Sequence, residues 1–262
     1  MTIPLEVLQS WAKPGRNEMS KQTYAALREV LLDNLDVDES DIYLQGSYRN
    51  STNVRDNSDI DIVIEFEPGT NLYTLKDSVL ISIQNSHNFQ FTKGSKTVKY
   101  KGLAGRYVPA DIVPCVTERG AKDCVRLYDS SKNTVILNYP KVHIRNGEEK
   151  SGNTDGNFKK GVRILKNARN YLENLGVNTQ VSSYTIECLL YNIPDDEYSG
   201  NESDILNNTV DWVLNNQFSL FWLKTQDRKE QLFINPERYT SDVVRFFNNV
   251  RYLQDKWEKT VR

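Results

Sequence analysis

The chain has 262 residues and carries 33 Lys and Arg against 35 Asp and Glu, a net charge of −2 with a pI near 5.8. This length fits one large domain or two small lobes, and the charge balance excludes a protein whose whole surface binds nucleic acid, although a local basic groove is compatible with it. Hydrophobic residues at 38% and aromatic residues at 10% exclude a disordered chain.

The cysteines and histidines restrict the function classes further. Cys115, Cys124 and Cys188 form neither an even disulfide framework nor a C-x-x-C pair, which predicts a reducing, cytoplasmic location. His87 and His143 are too few for a zinc site built on several His and Cys ligands. They also offer few candidates for the catalytic histidine of a Ser-His-Asp enzyme. No stretch approaches 18 apolar residues and the N-terminus lacks a signal-peptide pattern, so we predict neither export nor a membrane partner.

The first half of the chain mixes helix and strand patterns. Apolar residues at helical spacing predict a helix within the first 35 residues, and a short strand follows at 41–47. Residues 59–67 alternate strictly, with Ile60, Ile62, Ile64 and Phe66 on one face and the acidic residues on the other, which is typical of a strand. A helix over 72–84 and further strands near 97–101, 108–116 and 124–128 complete this α/β half.

The second half has helical periodicity after a polar segment. Residues 146–157, NGEEKSGNTDGN, contain three glycines and no apolar side chain, which predicts an irregular junction between two lobes. Helices are then predicted over 158–175, 182–191, 204–223 and 241–259. We therefore predict a core at 1–150 that includes the N-terminal helix, and a helical domain at 151–262.

Acidic residues on the predicted strands are the main candidates for chemistry. Asp59 and Asp61 stand at i and i+2, so they point the same way with Cβ atoms about 7 Å apart, a reach at which two carboxylates can share a pair of divalent cations. Asp111 lies in an otherwise apolar strand and is the candidate third ligand. Gly46 and Ser47 follow a strand, so their N–H groups and the hydroxyl can hold a triphosphate. Each feature alone also fits an ordinary polar strand face, turn or capping acid.

The segment QGSYRNSTNVRDNSDIDIVIEF, with ADIVP later in the chain, resembles the polymerase-β-like nucleotidyltransferases. More narrowly, the chain resembles the cGAS/DncV-like nucleotidyltransferases (CD-NTases), the signal-making enzymes of bacterial anti-phage CBASS systems. The resemblance runs from about Tyr43 to Tyr191, and residues 203–262 carry no matching motif. It implies an α+β fold, in which a mixed sheet with flanking helices forms the nucleotidyltransferase lobe and a C-terminal helical lobe completes the nucleotide pocket.

The resemblance also implies roles for the strand residues. Asp59, Asp61 and Asp111 would hold two Mg²⁺ ions, for which Mn²⁺ can substitute, and Asp111 would lie nearest the attacking hydroxyl. Gly46 and Ser47 would bind the β- and γ-phosphates of the donor nucleotide.

The helical lobe contributes further candidates for nucleotide binding. A polar stripe recurs at helical spacing and consists of Lys159, Arg163, Lys166 and Asn170. Such a stripe suits a triphosphate that needs charge neutralisation, and it equally suits a solvated helix face. We predict phosphate binding for Lys166. The resemblance implies that Ser183 contacts phosphate and that Tyr184 stacks on a base, the alternative for Tyr184 being an ordinary core aromatic.

Together these features predict a template-independent nucleotidyltransferase that joins nucleoside triphosphates, and the family resemblance implies that its product is a cyclic di- or trinucleotide. Its product would act on a separate nucleotide-activated effector protein, and the enzyme itself is expected to be a monomer. The alternatives are transfer to an RNA end, a protein or a small molecule, and an inactive nucleotide-binding module. The acidic pI argues against a stable nucleic-acid partner, and the intact set of three aspartates argues against an inactive site.

Overall fold

The structure, a computed structural model, describes residues 2–15, 18–54, 59–86, 89–233 and 236–257. The chain divides into two compact units, one at Gly15–Ile144 and the other formed by the residues up to Pro14 together with those from Arg145 onward. The sequence instead places the division at residue 150 and the N-terminal helix with the sheet. Two helices form in this N-terminal region: Glu18–Asn34, which contains the regularly spaced apolar residues, packs with the sheet through Leu27 and Leu31, whereas the shorter helix Leu5–Trp11 buries Leu8 in the core of the helical unit.

Within its described residues, the unit Gly15–Ile144 contains a seven-stranded mixed sheet. The strands are β1 (Ile42–Gln45), β2 (Ile60–Phe66), β3 (Phe91–Lys93), β4 (Val98–Tyr100), β5 (Ala110–Thr117), β6 (Val125–Asp129) and β7 (Thr134–Asn138). The order is β1-β2-β5-β4-β3, with β6 pairing β5 and β7 pairing β6. Only the pairing of β2 with β5 is parallel among these strands. The sequence patterns do not predict β3 or β7.

Helices cover one face of this sheet. They are α2 (Glu18–Asn34) and α4 (Leu72–Ile83), and a one-turn helix α3 (Gly46–Arg49) follows β1 directly. Ile60, Ile62 and Ile64 are fully buried in a core that includes side chains of α2 and α4, which confirms the face predicted from the alternating pattern. The opposite face of β2 and β5 holds a smaller apolar cluster around Val63 and Val113.

The helical unit packs around one central helix. Its helices are α1 (Leu5–Trp11), α5 (Pro140–Asn153, which begins in the sheet unit), α6 (Asn157–Asn174), α7 (Ser183–Asn192), α8 (Glu202–Asn215) and α9 (Pro236–Asp255). Phe158, Val162 and Leu165 of α6 are fully buried among side chains of α1, α7, α8 and α9. Among the described residues, no helix combines the length and the apolar composition needed to span a membrane.

The predicted irregular junction at 146–157 is wrong for most of its length, because α5 continues to Asn153 and α6 begins at Asn157. Gly147 explains the difference. A Cβ atom at this position would lie 2.4 Å from Nε2 of Gln226, so this glycine permits close packing within a helix rather than a turn. The turn itself uses Gly156, which has φ +80°.

The predicted helices near the C-terminus also have different bounds. Residues 204–223 contain most of α8 and a separate 3-10 helix, Gln217–Trp222, rather than one continuous helix. The last helix begins at Pro236 instead of residue 241, and residues 258–259 of its predicted range lie outside the described residues, as does His87.

Candidate active site

Two of the three candidate metal ligands lie side by side in the sheet. The parallel register of β2 and β5 places Asp61 directly opposite Asp111, so both side chains project from the same face. Gln45 pairs with Asp61 on its other side, at the point where β1 ends. Asp59 immediately precedes β2 and is exposed to solvent.

The charges of the clustered aspartates repel one another when no cation is bound. Burial and, to a smaller extent, repulsion from the carboxylates of Asp111 and Asp59 together raise the pKa of Asp61 to about 7. As the side chains stand, no group of three or more His, Cys, Asp or Glu residues in the described ranges is close enough to hold an ion together. The donor set nevertheless fits a divalent cation, because carboxylate oxygens are the ligands that Mg²⁺ and Mn²⁺ prefer and a cation offsets their repulsion.

The turn after β1 brings the backbone against the Asp61 carboxylate. Gly46 has φ +68°, and a Cβ atom at this position would lie 2.1 Å from Oδ2 of Asp61. Only glycine therefore fits here, for reasons of both conformation and space. Ser47 follows in the first turn of α3, where its backbone carbonyl accepts a hydrogen bond of 2.9 Å from the amide of Thr52.

Glu65 lies on the same face of β2 as Asp61 but has a different role. Its carboxylate accepts a hydrogen bond of 2.5 Å from the Tyr43 hydroxyl and one of 2.9 Å from Nζ of Lys141. The Lys141 ammonium also lies 4.8 Å from the centre of the Tyr43 ring. Glu65 is thus part of a hydrogen-bonded network with neutralised charge, which the alternating sequence pattern alone does not reveal.

Lys166 lies deep within the helical unit. It is only 2% exposed, and its Nζ atom lies 3.3 Å from Oε2 of Glu187, a buried residue of α7. Burial lowers the pKa of Lys166, and the charge of Glu187 opposes this effect. Phosphate binding by Lys166 stays a prediction.

The polar stripe of α6 is therefore not a solvated helix face. Arg163 is 7% exposed, and its Nε donates a hydrogen bond of 2.5 Å to the carbonyl of Ala12, just after α1. Burial lowers the pKa of Arg163 to about 10. The helical periodicity of the cations is real, but Arg163 and Lys166 are buried, in contact with the end of α1 and with α7, whereas Lys159 is only half-buried.

Ser183 and Tyr184 lie at the first turn of α7. The Ser182 hydroxyl accepts a hydrogen bond of 3.0 Å from the amide of Thr185 and so caps the helix. The Ser183 hydroxyl accepts one of 3.0 Å from Nη1 of Arg169. Tyr184 is 50% exposed, so it is not a core aromatic. Its hydroxyl forms a hydrogen bond with Cys188, and burial raises the pKa of Tyr184. Half of the side chain is exposed, and stacking on a base stays a prediction.

The mixed sheet, its paired aspartates and the Gly-Ser turn define a nucleotidyltransferase, and the nucleotidyltransferase domain family matches residues 25–137. The cGAS/DncV-like nucleotidyltransferase C-terminal helical domain family matches residues 145–256. The chain is 32% identical to a cyclic dipurine nucleotide synthase of Elizabethkingia meningoseptica, over 64% of this chain and 69% of the relative. The chain therefore belongs to the cGAS/DncV-like nucleotidyltransferases, an enzyme family that uses divalent metal ions.

The similarity to other members extends over nearly the whole chain. A cyclic UMP-AMP synthase of Rhodothermus marinus is 28% identical, with 98% of both chains covered. A solved structure of the c-UMP-AMP synthase from that organism, with Apcpp and Upnpp, has a TM-score of 0.82 at 27% identity and covers 97% of each chain. A structure of the cyclic dinucleotide synthase of E. meningoseptica, with GTP and Apcpp, has a TM-score of 0.80 at 28% identity, covering 96% of this chain and 99% of that one.

Proposed function

We propose that the protein joins ribonucleoside triphosphates into a cyclic di- or trinucleotide. In each step a 3′- or 2′-hydroxyl oxygen forms a bond to an α-phosphorus, the bond to the β-phosphate bridging oxygen breaks, and pyrophosphate leaves. The observation that carries the proposal is the pairing of Asp61 with Asp111 beside the Gly46 turn, in a chain similar over 98% of its length to a cyclic UMP-AMP synthase.

We assign the residues of the sheet unit to the chemical step. Asp59, Asp61 and Asp111 would hold two divalent cations, Mg²⁺ or Mn²⁺, which when bound supply charge neutralisation and lower the pKa of the attacking hydroxyl. Asp111 accepts the proton of that hydroxyl. Gly46 leaves room for the donor phosphates to approach the backbone, and the Ser47 hydroxyl donates a hydrogen bond to them.

We assign the residues of the helical unit to nucleotide binding. The Ser183 hydroxyl, which accepts a hydrogen bond from Arg169, donates a hydrogen bond to a phosphate oxygen, and the half-exposed ring of Tyr184 stacks on the base. Lys166 contributes positive charge to the triphosphate.

The biological role we propose is that of a cytoplasmic, monomeric enzyme whose product is an antiviral second messenger. A cyclic product has no terminal phosphate, so it is chemically suited to survive phosphatases until it binds a separate effector protein. This proposal rests on the family to which the chain belongs and on the enzymatic names of its relatives.

The product of the purified protein tests the proposed reaction. Given Mg²⁺ or Mn²⁺ and the four ribonucleoside triphosphates, we expect a small product that resists phosphatase. Its mass should equal that of two or three nucleoside monophosphates less one water each, as measured by mass spectrometry. Label that appears only after RNA, protein or an aminoglycoside is added, or products that are all phosphatase-sensitive, would contradict cyclisation and leave nucleotidyl transfer intact.

Tyr184→Ala tests the base-stacking role. A stack of a base on an aromatic side chain contributes about 1–3 kcal/mol, so the variant is expected to bind non-hydrolysable triphosphates roughly 5- to 150-fold more weakly. Isothermal titration measures the affinity, and Tyr184→Phe, which keeps the ring, should bind almost as the parent does. If Tyr184→Ala lowers the melting temperature markedly while affinity is unchanged, the side chain has a structural role only.

A further inference from the structure

A short hairpin of the helical unit, residues 224–231, lies next to Tyr184 and has no assigned role. Lys224 and Gln231 pair as an antiparallel bridge at its base. Inside it, the amide of Thr225 donates a hydrogen bond of 3.0 Å to the carbonyl of Glu230, and the amide of Arg228 donates one of 2.8 Å to the carbonyl of Thr225. Arg228 has φ +61°, a left-handed conformation that a non-glycine residue adopts only where its surroundings hold it.

The hairpin is fastened to α7 and α5. The Asn192 side chain donates to the carbonyl of Lys224 over 2.7 Å and accepts from its amide over 3.3 Å. The amide of Gln226 donates to Sγ of Cys188 over 3.4 Å, and its carbonyl accepts a hydrogen bond of 2.7 Å from Nδ2 of Asn146. The hairpin is therefore held against the helix face that carries Cys188, and Tyr184 lies one turn earlier on that face.

This packing places a fixed carboxylate, that of Asp227, near the hydroxyl end of Tyr184, because the preceding residue Gln226 and the Tyr184 hydroxyl both bond Cys188. Oδ1 of Asp227 accepts hydrogen bonds from the Thr225 hydroxyl over 2.5 Å and from the Lys229 amide over 3.0 Å, which orient the carboxylate. Asp227 is only 9% exposed, so little water competes at its oxygens. Burial is the main cause that raises the pKa of Tyr184, and the charges of Asp227 and Glu230 raise it further, which agrees with a position near its hydroxyl.

We infer that Asp227 accepts a hydrogen bond from the edge of the base that stacks on Tyr184, and that this base-binding position favours adenine and cytosine over uracil. The inference rests on the stacking role proposed for Tyr184. An ionised carboxylate only accepts hydrogen bonds. It therefore attracts the amino groups of adenine and cytosine, whereas the exocyclic oxygen of uracil at the corresponding position would face it with a second acceptor.

Asp227→Asn is the direct test, because asparagine keeps an oxygen for Thr225 and the Lys229 amide and replaces the other oxygen with a donor. Affinities for non-hydrolysable analogues of ATP, CTP and UTP are measured by titration calorimetry. A well-placed contact to a base edge discriminates by about 1–3 kcal/mol, which predicts a 5- to 150-fold fall in the ATP-to-UTP and CTP-to-UTP affinity ratios. Asp196→Asn, the same exchange at an exposed position of this unit, should leave both ratios unchanged.

Comparison with Tyr184→Ala distinguishes the inferred role of Asp227 from the proposed stacking of the base on Tyr184. Loss of the stack should weaken the binding of all three analogues. An unchanged affinity in Tyr184→Ala would therefore contradict the proposed stacking of the base on Tyr184. Suppose instead that Tyr184→Ala binds the analogues weakly while Asp227→Asn keeps the parental affinity ratios or weakens the binding of all three analogues equally. In that case the stacking on Tyr184 is supported and the inferred role of Asp227 is overturned. Should Asp227→Asn fold poorly, Thr225→Val removes one of the hydrogen bonds that orient the carboxylate, and an unchanged ratio there overturns the inference equally.

Discussion

Asp61→Asn is expected to abolish nucleotide incorporation and, at the same time, to make the metal-free protein more stable. Loss of a carboxylate that holds the catalytic cations removes several kcal/mol of transition-state stabilisation, which corresponds to a reaction rate reduced by a factor of roughly 1,000 or more. Pyrophosphate release measures this loss. The variant Asp59→Ala plus Asp61→Ala should behave in the same way and retain its circular dichroism spectrum.

The gain in stability follows from the pKa of Asp61. Folding raises that pKa from 3.8 to about 7, so the ionised carboxylate is less favourable in the folded than in the unfolded chain. The resulting penalty is absent below about pH 4, grows as the pH rises towards 7, and is complete above it. Each pKa unit corresponds to about 1.4 kcal/mol, and partial solvation reduces the net effect, so a gain of about 1–3 kcal/mol is expected at pH 8.

Thermal unfolding in the presence of a chelator measures this gain. Asp61→Asn should melt at a higher temperature than the parent at pH 8, and the difference should shrink at pH 4.5. Glu67→Gln, an exposed acid of the same segment, makes the same chemical change and should shift neither melting temperature nor activity. Wild-type activity in Asp61→Asn, or destabilisation at pH 8, would contradict the assignment of this carboxylate.

The parts of the structure that the sequence predicts are those determined by local periodicity. Ile60, Ile62 and Ile64 alternate with polar residues, and this period-two pattern places the isoleucines in the core and Asp61 on the other face. The apolar strand around Asp111 is likewise readable, because a lone acid in such a segment requires a partner. The register that places Asp61 opposite Asp111 depends on the parallel pairing of β2 with β5, which no local sequence pattern predicts.

The parts that sequence reasoning misses depend on contacts between distant residues. Gly147 looks like a turn residue, yet it lies within α5, where the lack of a side chain leaves room for Gln226, a residue far along the chain. The stripe that contains Lys166 fits a phosphate-binding face or a solvated face, and no local pattern shows the carboxylate that faces Lys166, because it belongs to the next helix. The hairpin at 224–231 is short and polar, so it carries no periodic signal, and only its hydrogen bonds to Asn146 and Asn192 reveal its position.

Glu187→Gln is expected to have the second large effect, a loss of stability. Lys166 and Glu187 are 2% and 5% exposed, and removal of the carboxylate leaves the ammonium without that counter-charge in a poorly solvated interior. Breaking a buried ion pair from one side costs about 3–5 kcal/mol. Chemical denaturation should therefore show a clear fall in the free energy of unfolding. A change below about 1 kcal/mol, the size typical of exposed pairs, would contradict this reading.

The double variant Lys166→Met plus Glu187→Met separates the structural role of the pair from nucleotide binding. Replacement of both buried charges by apolar side chains of similar length should restore most of the stability lost in Glu187→Gln, because no charge is left unpaired. If Lys166 also contributes charge to the triphosphate, the restored fold should bind triphosphates at least 10-fold more weakly and nucleosides as the parent does. Parental affinity for both ligands in this stable variant would mean that Lys166 serves the helical core alone.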